Sequence, residues 1–130
     1  MIRIMLADSH DDVRRQLAER LSREKAVEVV GQAATAADML ERIHSARPDV
    51  LVVDPQSKGD DFLSALKNLR YQMPNIRILV LSSVVDTFQQ VELNHLGVHR
   101  ILNKGLQTDL LLKEILAVMA PLPRRSHSQP

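Results

Sequence analysis

Polar side chains stand at or near the ends of four short apolar runs: Asp8, Asp54, Ser82 and Lys104. Together, a carboxylate pair, a hydroxyl and an ammonium can bind and transfer a phosphoryl group. Asp54 would attack phosphorus as the nucleophile, and Asp8 would help to hold Mg²⁺, which prefers oxygen ligands. Ser82 would donate a hydrogen bond to a phosphoryl oxygen, and Lys104 would neutralise its charge. This chemistry requires a fold that brings the four groups to one place.

The apolar runs predict five β-strands, over residues 2–7, 27–30, 50–53, 76–81 and, with a weaker signal, 98–102. Residues 50–53 and 78–81 are apolar at consecutive positions, without alternation. A strand with that pattern must be covered on both faces, as happens in the middle of a parallel sheet.

Segments with helical spacing of apolar residues lie between the predicted strands. Val13, Leu17 and Leu21 recur every four residues and predict an amphipathic helix over residues 11–25. A second helix is predicted over residues 36–45, with Thr35 as its N-cap. Three further helices are marked by spaced apolar residues: Phe62, Leu66 and Leu69; then Phe88, Val91 and Leu96; and finally a core stripe of Leu111, Leu112, Ile115, Leu116, Val118 and Met119.

Five strand–helix units in alternation predict an α/β fold, with an open, doubly wound parallel sheet and right-handed crossovers. Functional sites in such sheets form beyond the carboxyl ends of the strands, which is where the four polar groups stand. Residues 1–120 show no internal repeat or linker and are predicted to form one domain. Residues 121–130 carry three prolines and the pair Arg124-Arg125, and are predicted to be a disordered tail or linker stub.

The composition excludes several kinds of site. The 130 residues contain no cysteine, which excludes disulfides, zinc–thiolate sites, iron–sulfur clusters and cysteine nucleophiles. A formal net charge of +1 and 2% aromatic residues argue against a nucleic-acid surface. No apolar run approaches the ~20 residues that cross a bilayer, and the N-terminus lacks signal-peptide features. We therefore expect a cytoplasmic protein with neither a nucleic acid nor a membrane as partner.

Each polar residue also has a purely structural interpretation. Asp54 follows a strand, where aspartate is a common turn residue. Asp8, with Asp11 and Asp12 behind it, would serve to cap the first helix. Ser82 would be an ordinary loop hydroxyl, and Lys104 a solvated surface charge. The functional interpretation depends on the conjunction of all four groups at the ends of four different strands.

Five segments fix the order of these groups along the chain: IRIMLADSH (2–10), VVGQA (29–33), RPDVLVVD (47–54), ILVLS (78–82) and LNK (102–104). With Leu96-Gly97 between the last two, they resemble the receiver domain of bacterial response regulators, especially the LuxR/NarL-type subgroup, over about residues 2–119. The resemblance implies a CheY-like fold with strand order 2-1-3-4-5 and five helices. It implies that Asp54 is the phosphoacceptor, Asp8 the first of two paired acids, Ser82 the switch hydroxyl and Lys104 the pocket lysine.

The same resemblance implies a metal ion and a donor. Mg²⁺ would be held by Asp8, Asp54 and the backbone carbonyl of Gln56. A histidine kinase or phosphotransfer protein would supply the phosphoryl group. The chain would then be a signalling phosphoacceptor and not an enzyme, beyond self-catalysed phosphoryl transfer and hydrolysis.

A second apolar stripe accompanies the fifth helix, away from its core stripe: Leu106, Leu110 and Ala117. Such a stripe often marks a partner surface. Since the resemblance implies that receivers dimerise through helix 4, strand 5 and helix 5, these residues are predicted to line a homodimer interface. The alternative is that the first helix or the tail covers them.

Three positions depart from the family's pattern, and all three bear on the pocket. Ser9 replaces the second acid, so a divalent ion loses one opposite charge, a loss of order 1 kcal/mol or more. Asp11 and Asp12 are candidates to replace that charge. Pro55 has no N–H to donate to an anion on Asp54, and Ile101 stands where the family has its switch aromatic. The loop Ser57-Lys58-Gly59 also differs from the usual turn.

These departures favour a hypothesis in which phosphorylation is weakened or lost. The alternative function is then a phosphorylation-independent pseudo-receiver that acts as a protein-interaction or dimerisation module. Other functions are poorly supported. Asp8-Ser9-His10 begins like a cobalamin-binding loop, but Val13 replaces the required glycine, and the resemblance implies that His10 is a loop residue. The four glycines are scattered, so no phosphate-cradling loop exists.

Overall fold

Strands and helices alternate along the whole part of the chain that the computed structural model describes, residues 1–56 and 61–120. In chain order the elements are β1 (Ile2–Ala7), α1 (Asp11–Ser22), β2 (Val27–Ala33), α2 (Ala36–Ala46), β3 (Val50–Val53), α3 (Phe62–Gln72), β4 (Arg77–Ser82), α4 (Thr87–His95), β5 (Arg100–Asn103) and α5 (Thr108–Met119). The predicted α/β alternation is confirmed, and Thr35 caps α2 through its side chain, as predicted.

The five strands form one parallel sheet in the order β2-β1-β3-β4-β5, which confirms the predicted doubly wound topology. β3 lies at the centre, and all four of its residues are buried. Consecutive apolar residues are needed there because helices cover both faces of the sheet.

Each face of the sheet has its own core. Alternate strand residues such as Met5 and Leu51 pack with α2, α3 and α4. Their neighbours Ile4 and Val50 point to the other face and pack with α1 and α5. This alternation follows from the period of two in side-chain direction along a strand.

The prediction for α1 was wrong in two respects. The helix ends at Ser22 and not at residue 25. Val13, predicted to face the core, is 40% exposed, whereas Arg14 is 7% exposed. The reason is that the Arg14 guanidinium donates to the Asp8 carbonyl at 2.8 Å and to Asp11 Oδ1 at 2.7 Å, so that the arginine turns inward.

Smaller differences occur elsewhere. β2 is longer than predicted, β4 is displaced by one residue, and β5 runs over Arg100–Asn103. On α5, Leu116 was assigned to the core stripe but is 49% exposed, because Leu111 and Ile115 define the buried side and the next residue turns about 100° away. On α4, Phe88 and Val91 are exposed, and the buried residues are Leu93 and Leu96.

Within the described residues, no helix combines the length and the apolar character that a membrane span requires. The loop Ser57-Lys58-Gly59 and the tail with Arg124-Arg125 lie outside the described residues.

Candidate functional site

The site lies at the carboxyl edge of the sheet. There, the backbone hydrogen bonding of three pairs of neighbouring strands continues for one residue past the strand ends. The Asp8 N–H donates to the Ala33 carbonyl, and the Asp54 N–H donates to the Ala7 carbonyl. The Lys104 N–H donates to the Ser82 carbonyl at 3.1 Å. These bonds set the backbones of Asp8, Asp54 and Lys104 at one rim, as the placement of polar residues after the strands predicted.

Asp54 is buried, and both of its carboxylate oxygens have partners. Oδ1 accepts a hydrogen bond from the Gln56 N–H at 2.9 Å, and Oδ2 accepts one from Lys104 Nζ at 2.6 Å. Pro55, between Asp54 and Gln56, has no N–H, so the first backbone donor after the aspartate is that of Gln56.

Lys104 also pairs with Asp8, whose Oδ2 lies 2.6 Å from Nζ. One ammonium therefore serves two buried carboxylates. Burial lowers the pKa of Lys104, but the hydrogen bonds to Asp54 and Asp8 outweigh it, so that the pKa lies above its ordinary value of 10.5. The lysine is a permanent cation in this pocket.

His10 lies in the loop after β1, as expected, and its side chain belongs to the same cluster. Its ring Nδ1 lies 2.9 Å from Asp8 Oδ1, 4.0 Å from Asp54 Oδ2 and 3.1 Å from Lys104 Nζ. Its backbone N–H also donates to Asp8 Oδ1 at 2.8 Å. The signal available in the sequence was its place two residues after an acid at a strand end.

Neither Asp11 nor Asp12 replaces the charge that Ser9 lacks. The Asp11 carboxylate is paired with Arg14, whose hydrogen bond lowers the pKa of Asp11 below its ordinary value of 3.8. Within the described residues, the group of side chains that could hold a metal ion consists of Asp8, His10 and Asp54, with ligand atoms within 4.8 Å of one another. Ser9 itself lies half-buried in the loop after β1.

A cleft of about 380 Å³ opens above Asp54. It is lined by His10, Asp54, Gln56, Ser82, Ser83, Val84, Asp86 and Gln89. The Ser82 hydroxyl lies in this cleft and donates to the Val84 carbonyl at 3.3 Å.

The side chain of Gln56 bridges two loops, a role the sequence did not reveal. Its Nε2 donates to the Val84 carbonyl at 3.0 Å and to Gln89 Oε1 at 2.7 Å. Gln89 in turn forms the capping box of α4 with Asp86. The loop after Asp54 is thereby joined to the first turn of α4.

None of the remaining predicted residues is among those that line the cleft. Ile101 pairs with Val80 across β4 and β5 and packs, half-buried, against the core on the α4 side. Leu106 is half-buried against the core shared by α1 and α5. Leu110 and Ala117 are exposed on α5.

The donor set of the pocket fits a divalent cation. Two carboxylates supply hard oxygen ligands of the kind that Mg²⁺ uses. The Lys104 ammonium sits between them and acts as a stand-in cation. The third group, the His10 imidazole, is a nitrogen ligand, which suits first-row transition metals better than Mg²⁺.

A family model described as the response regulator receiver domain matches residues 4–116. The chain belongs to this family. It is therefore a receiver domain of the two-component response regulators, as the resemblance implied.

Individual relatives agree with that assignment. The chain is 35% identical over 83 residues to the DNA-binding transcriptional activator DevR/DosR of Mycobacterium tuberculosis, covering 64% of the chain and 38% of that protein. It is 24% identical over 127 residues to the response regulator VraR of Staphylococcus saprophyticus, covering 98% of the chain and 57% of that protein. The chain thus spans less than two thirds of the length of these relatives.

Solved structures show the same fold. The receiver domain of the response regulator NarL from Mycobacterium tuberculosis superposes with a TM-score of 0.80 at 26% identity, covering 90% of this chain and 94% of that one. The response regulator domain of Thermotoga maritima CheB gives a TM-score of 0.82 at 21% identity, covering 95% and 99%.

Proposed function

We propose that the chain accepts a phosphoryl group on Asp54 from a histidine kinase or a phosphotransfer protein. The observation that carries this proposal is the position of the Asp54 carboxylate. It is buried at the floor of an open cleft, with Oδ2 2.6 Å from a permanently charged ammonium. A carboxylate held beside a cation, at the floor of a cleft that opens to solvent, is suited to attack an incoming phosphoryl group.

In the proposed step, an Asp54 oxygen forms a bond to phosphorus while the bond from phosphorus to the donor's imidazole nitrogen breaks. The imidazole leaves, and Asp54 becomes an acyl phosphate. Lys104 stays beside the new group and neutralises one of its oxygens. Mg²⁺, when bound by Asp8, Asp54 and the Gln56 carbonyl, would neutralise the charge on the phosphoryl oxygens.

Ser82 must change partner for the switch to operate. Its hydroxyl now donates to the Val84 carbonyl at the long distance of 3.3 Å. A phosphoryl oxygen on Asp54 would be a stronger acceptor because it is charged. We propose that Ser82 turns to that oxygen and gives up its bond to the Val84 carbonyl, which keeps the bond from Gln56 Nε2. The loop before α4 then changes conformation, with Ile101 adjusting behind it.

A second candidate function is that of a phosphorylation-independent interaction module. The observation that favours it is that both Asp54 oxygens are already hydrogen-bonded, to Gln56 and to Lys104, while Ser9 supplies no acid.

For both candidate functions, we propose that residues 1–120 act as one domain, in the cytoplasm and without binding nucleic acid. We also propose a homodimer formed through α4, β5 and α5, with Leu106, Leu110 and Ala117 at the interface.

Treatment with acetyl phosphate and Mg²⁺, followed by intact-mass measurement, tests the proposal. We expect one phosphoryl adduct, which Asp54→Asn abolishes and the matched surface variant Asp109→Asn retains. An adduct that survives Asp54→Asn would contradict the assignment of the phosphoacceptor. Absence of any adduct in the unaltered chain would favour the phosphorylation-independent module.

A further inference from the structure

Three acceptor atoms of the pocket converge on one cation. The Lys104 ammonium lies 2.6 Å from Asp8 Oδ2, 2.6 Å from Asp54 Oδ2 and 3.1 Å from His10 Nδ1. The three ligand-bearing residues come from the ends of β1 and β3 and from the loop after β1. Their side chains therefore already surround a point at which positive charge is stabilised.

The His10 ring cannot satisfy both of its close contacts at once. Nδ1 lies 2.9 Å from Asp8 Oδ1, a contact that requires a proton on the nitrogen. It also lies 3.1 Å from the Lys104 ammonium, a contact that requires a lone pair on the same nitrogen. A single ring nitrogen has one or the other. Through lone pairs, the ring nitrogen and one oxygen of each carboxylate can bind one metal ion, because these atoms lie within 4.8 Å of one another.

The chemistry of these ligands indicates which metal ion the pocket would bind most tightly. Mg²⁺ prefers oxygen ligands in an octahedral arrangement, whereas imidazole favours the first-row transition metals. Ser9 supplies no charge, so the nitrogen of His10 is the third strong ligand available. We propose that this pocket selects a divalent first-row transition-metal ion over Mg²⁺, with His10 Nδ1 as a ligand beside Asp8 and Asp54. This inference deepens the proposed function and rests on it, since the pocket is the same.

Calorimetric titration of the chain with Co²⁺ and with Mg²⁺, without any phosphodonor, tests the inference. We expect Co²⁺ to bind at least about tenfold more tightly than Mg²⁺. His10→Asn should weaken Co²⁺ binding about tenfold or more and change Mg²⁺ binding less than about twofold. Asparagine is a good N-cap residue, so the start of α1 is preserved. The matched control is His95→Asn, an exposed histidine on α4, which should change neither affinity.

A second measurement does not depend on any variant folding. Paramagnetic Mn²⁺ added to the unaltered chain should broaden the ring resonances of His10 before those of the other histidines. The inference is overturned if the unaltered chain binds no Co²⁺, if His10→Asn leaves Co²⁺ affinity unchanged, or if it weakens both ions equally. Because no phosphodonor is present, these outcomes are distinguishable from a failure of Asp54 to accept a phosphoryl group.

Discussion

The two ends of α4 are held in different ways. At the end near the pocket, Phe88 is 70% exposed, and the first turn contacts the β3–α3 loop through the Gln56 amide. At the other end, Leu93 and Leu96 are buried. There the Arg70 guanidinium donates to the carbonyls of Leu96, Gly97, Pro74 and Ile76.

This difference indicates which end can respond to the pocket. When a polar contact at the surface breaks, hydrogen bonds to water replace it, at a net cost of about 1 kcal/mol. When a buried apolar contact breaks, water offers no equivalent contact. The pocket-side end also carries the two groups joined to the site, Val84 and Gln89. We therefore expect α4 to move at that end and to pivot about the end that Arg70 anchors.

The largest difference in the free energy of unfolding should come from truncating one apolar residue at each end of α4. Leu93 is 1% exposed, so Leu93→Ala should lower the free energy of unfolding by about 3 kcal/mol through lost burial and a cavity. Phe88→Ala should lower it by less than about 0.5 kcal/mol, because the ring is already in solvent. Urea unfolding of both variants checks this, and equal losses would contradict the proposed asymmetry.

Arg70→Met should lower the free energy of unfolding by about 2 kcal/mol. Methionine keeps the aliphatic stem but leaves several backbone carbonyls without their donor. Arg23→Met is the matched control, because Arg23 forms an exposed ion pair with Glu19, and such pairs contribute about 0 to 1 kcal/mol. If both variants unfold at the same urea concentration, Arg70 does not anchor α4.

Gln56→Ala should have a smaller effect, about 1 kcal/mol, since it removes two side-chain hydrogen bonds, one exposed and one partly buried. Amide hydrogen exchange should increase over residues 84–90 and stay unchanged over residues 93–97, because the second set is held by burial and by Arg70. Gln72→Ala, which removes the hydrogen bonds of that side chain to Asn68 and to His44, is the control. Increased exchange at both ends of α4 would mean that the helix moves as a unit.

His99 lies near the end of α4 that Arg70 anchors, and it should make the free energy of unfolding depend on pH. We expect this to be the smallest of the effects. Burial lowers the pKa of the His99 imidazole below 6.5, and Arg70 and Arg77 add to this. The folded chain therefore binds fewer protons than the unfolded chain at this residue, so its stabilising contribution is present above pH 6.5 and is lost as the pH falls through the lowered value. Unfolding free energies at pH 7.5 and pH 5 should differ less in His99→Asn than in the unaltered chain.

The sequence alone predicted the fold and most of the site. Alternating strand and helix patterns leave few topologies open, and a parallel sheet necessarily gathers the residues after its strands at one edge. Asp8, Asp54, Ser82 and Lys104 could therefore be selected without coordinates. The departure at Ser9 was also visible as a missing charge.

Side chains that reach across the molecule were not predictable in this way. His10, Arg14, Gln56 and Arg70 each act through contacts with other loops or backbones, and a periodic pattern carries no information about which partner lies within reach. Arg14 is charged, yet three acceptors turn it inward. Leu116 was assigned to the core by its apolarity, although the arc of α5 that faces the sheet excludes it.

Residue order and hydropathy were enough to determine the strands, the helices and the edge at which the polar groups meet, because local periodicity and chain connectivity restrict those features strongly. The tertiary structure decided which atoms face one another there: that one ammonium serves two carboxylates, that an imidazole joins them, and that α4 is anchored at one end. Those outcomes depend on distances of a few ångströms between segments far apart along the chain, which only the packed molecule defines.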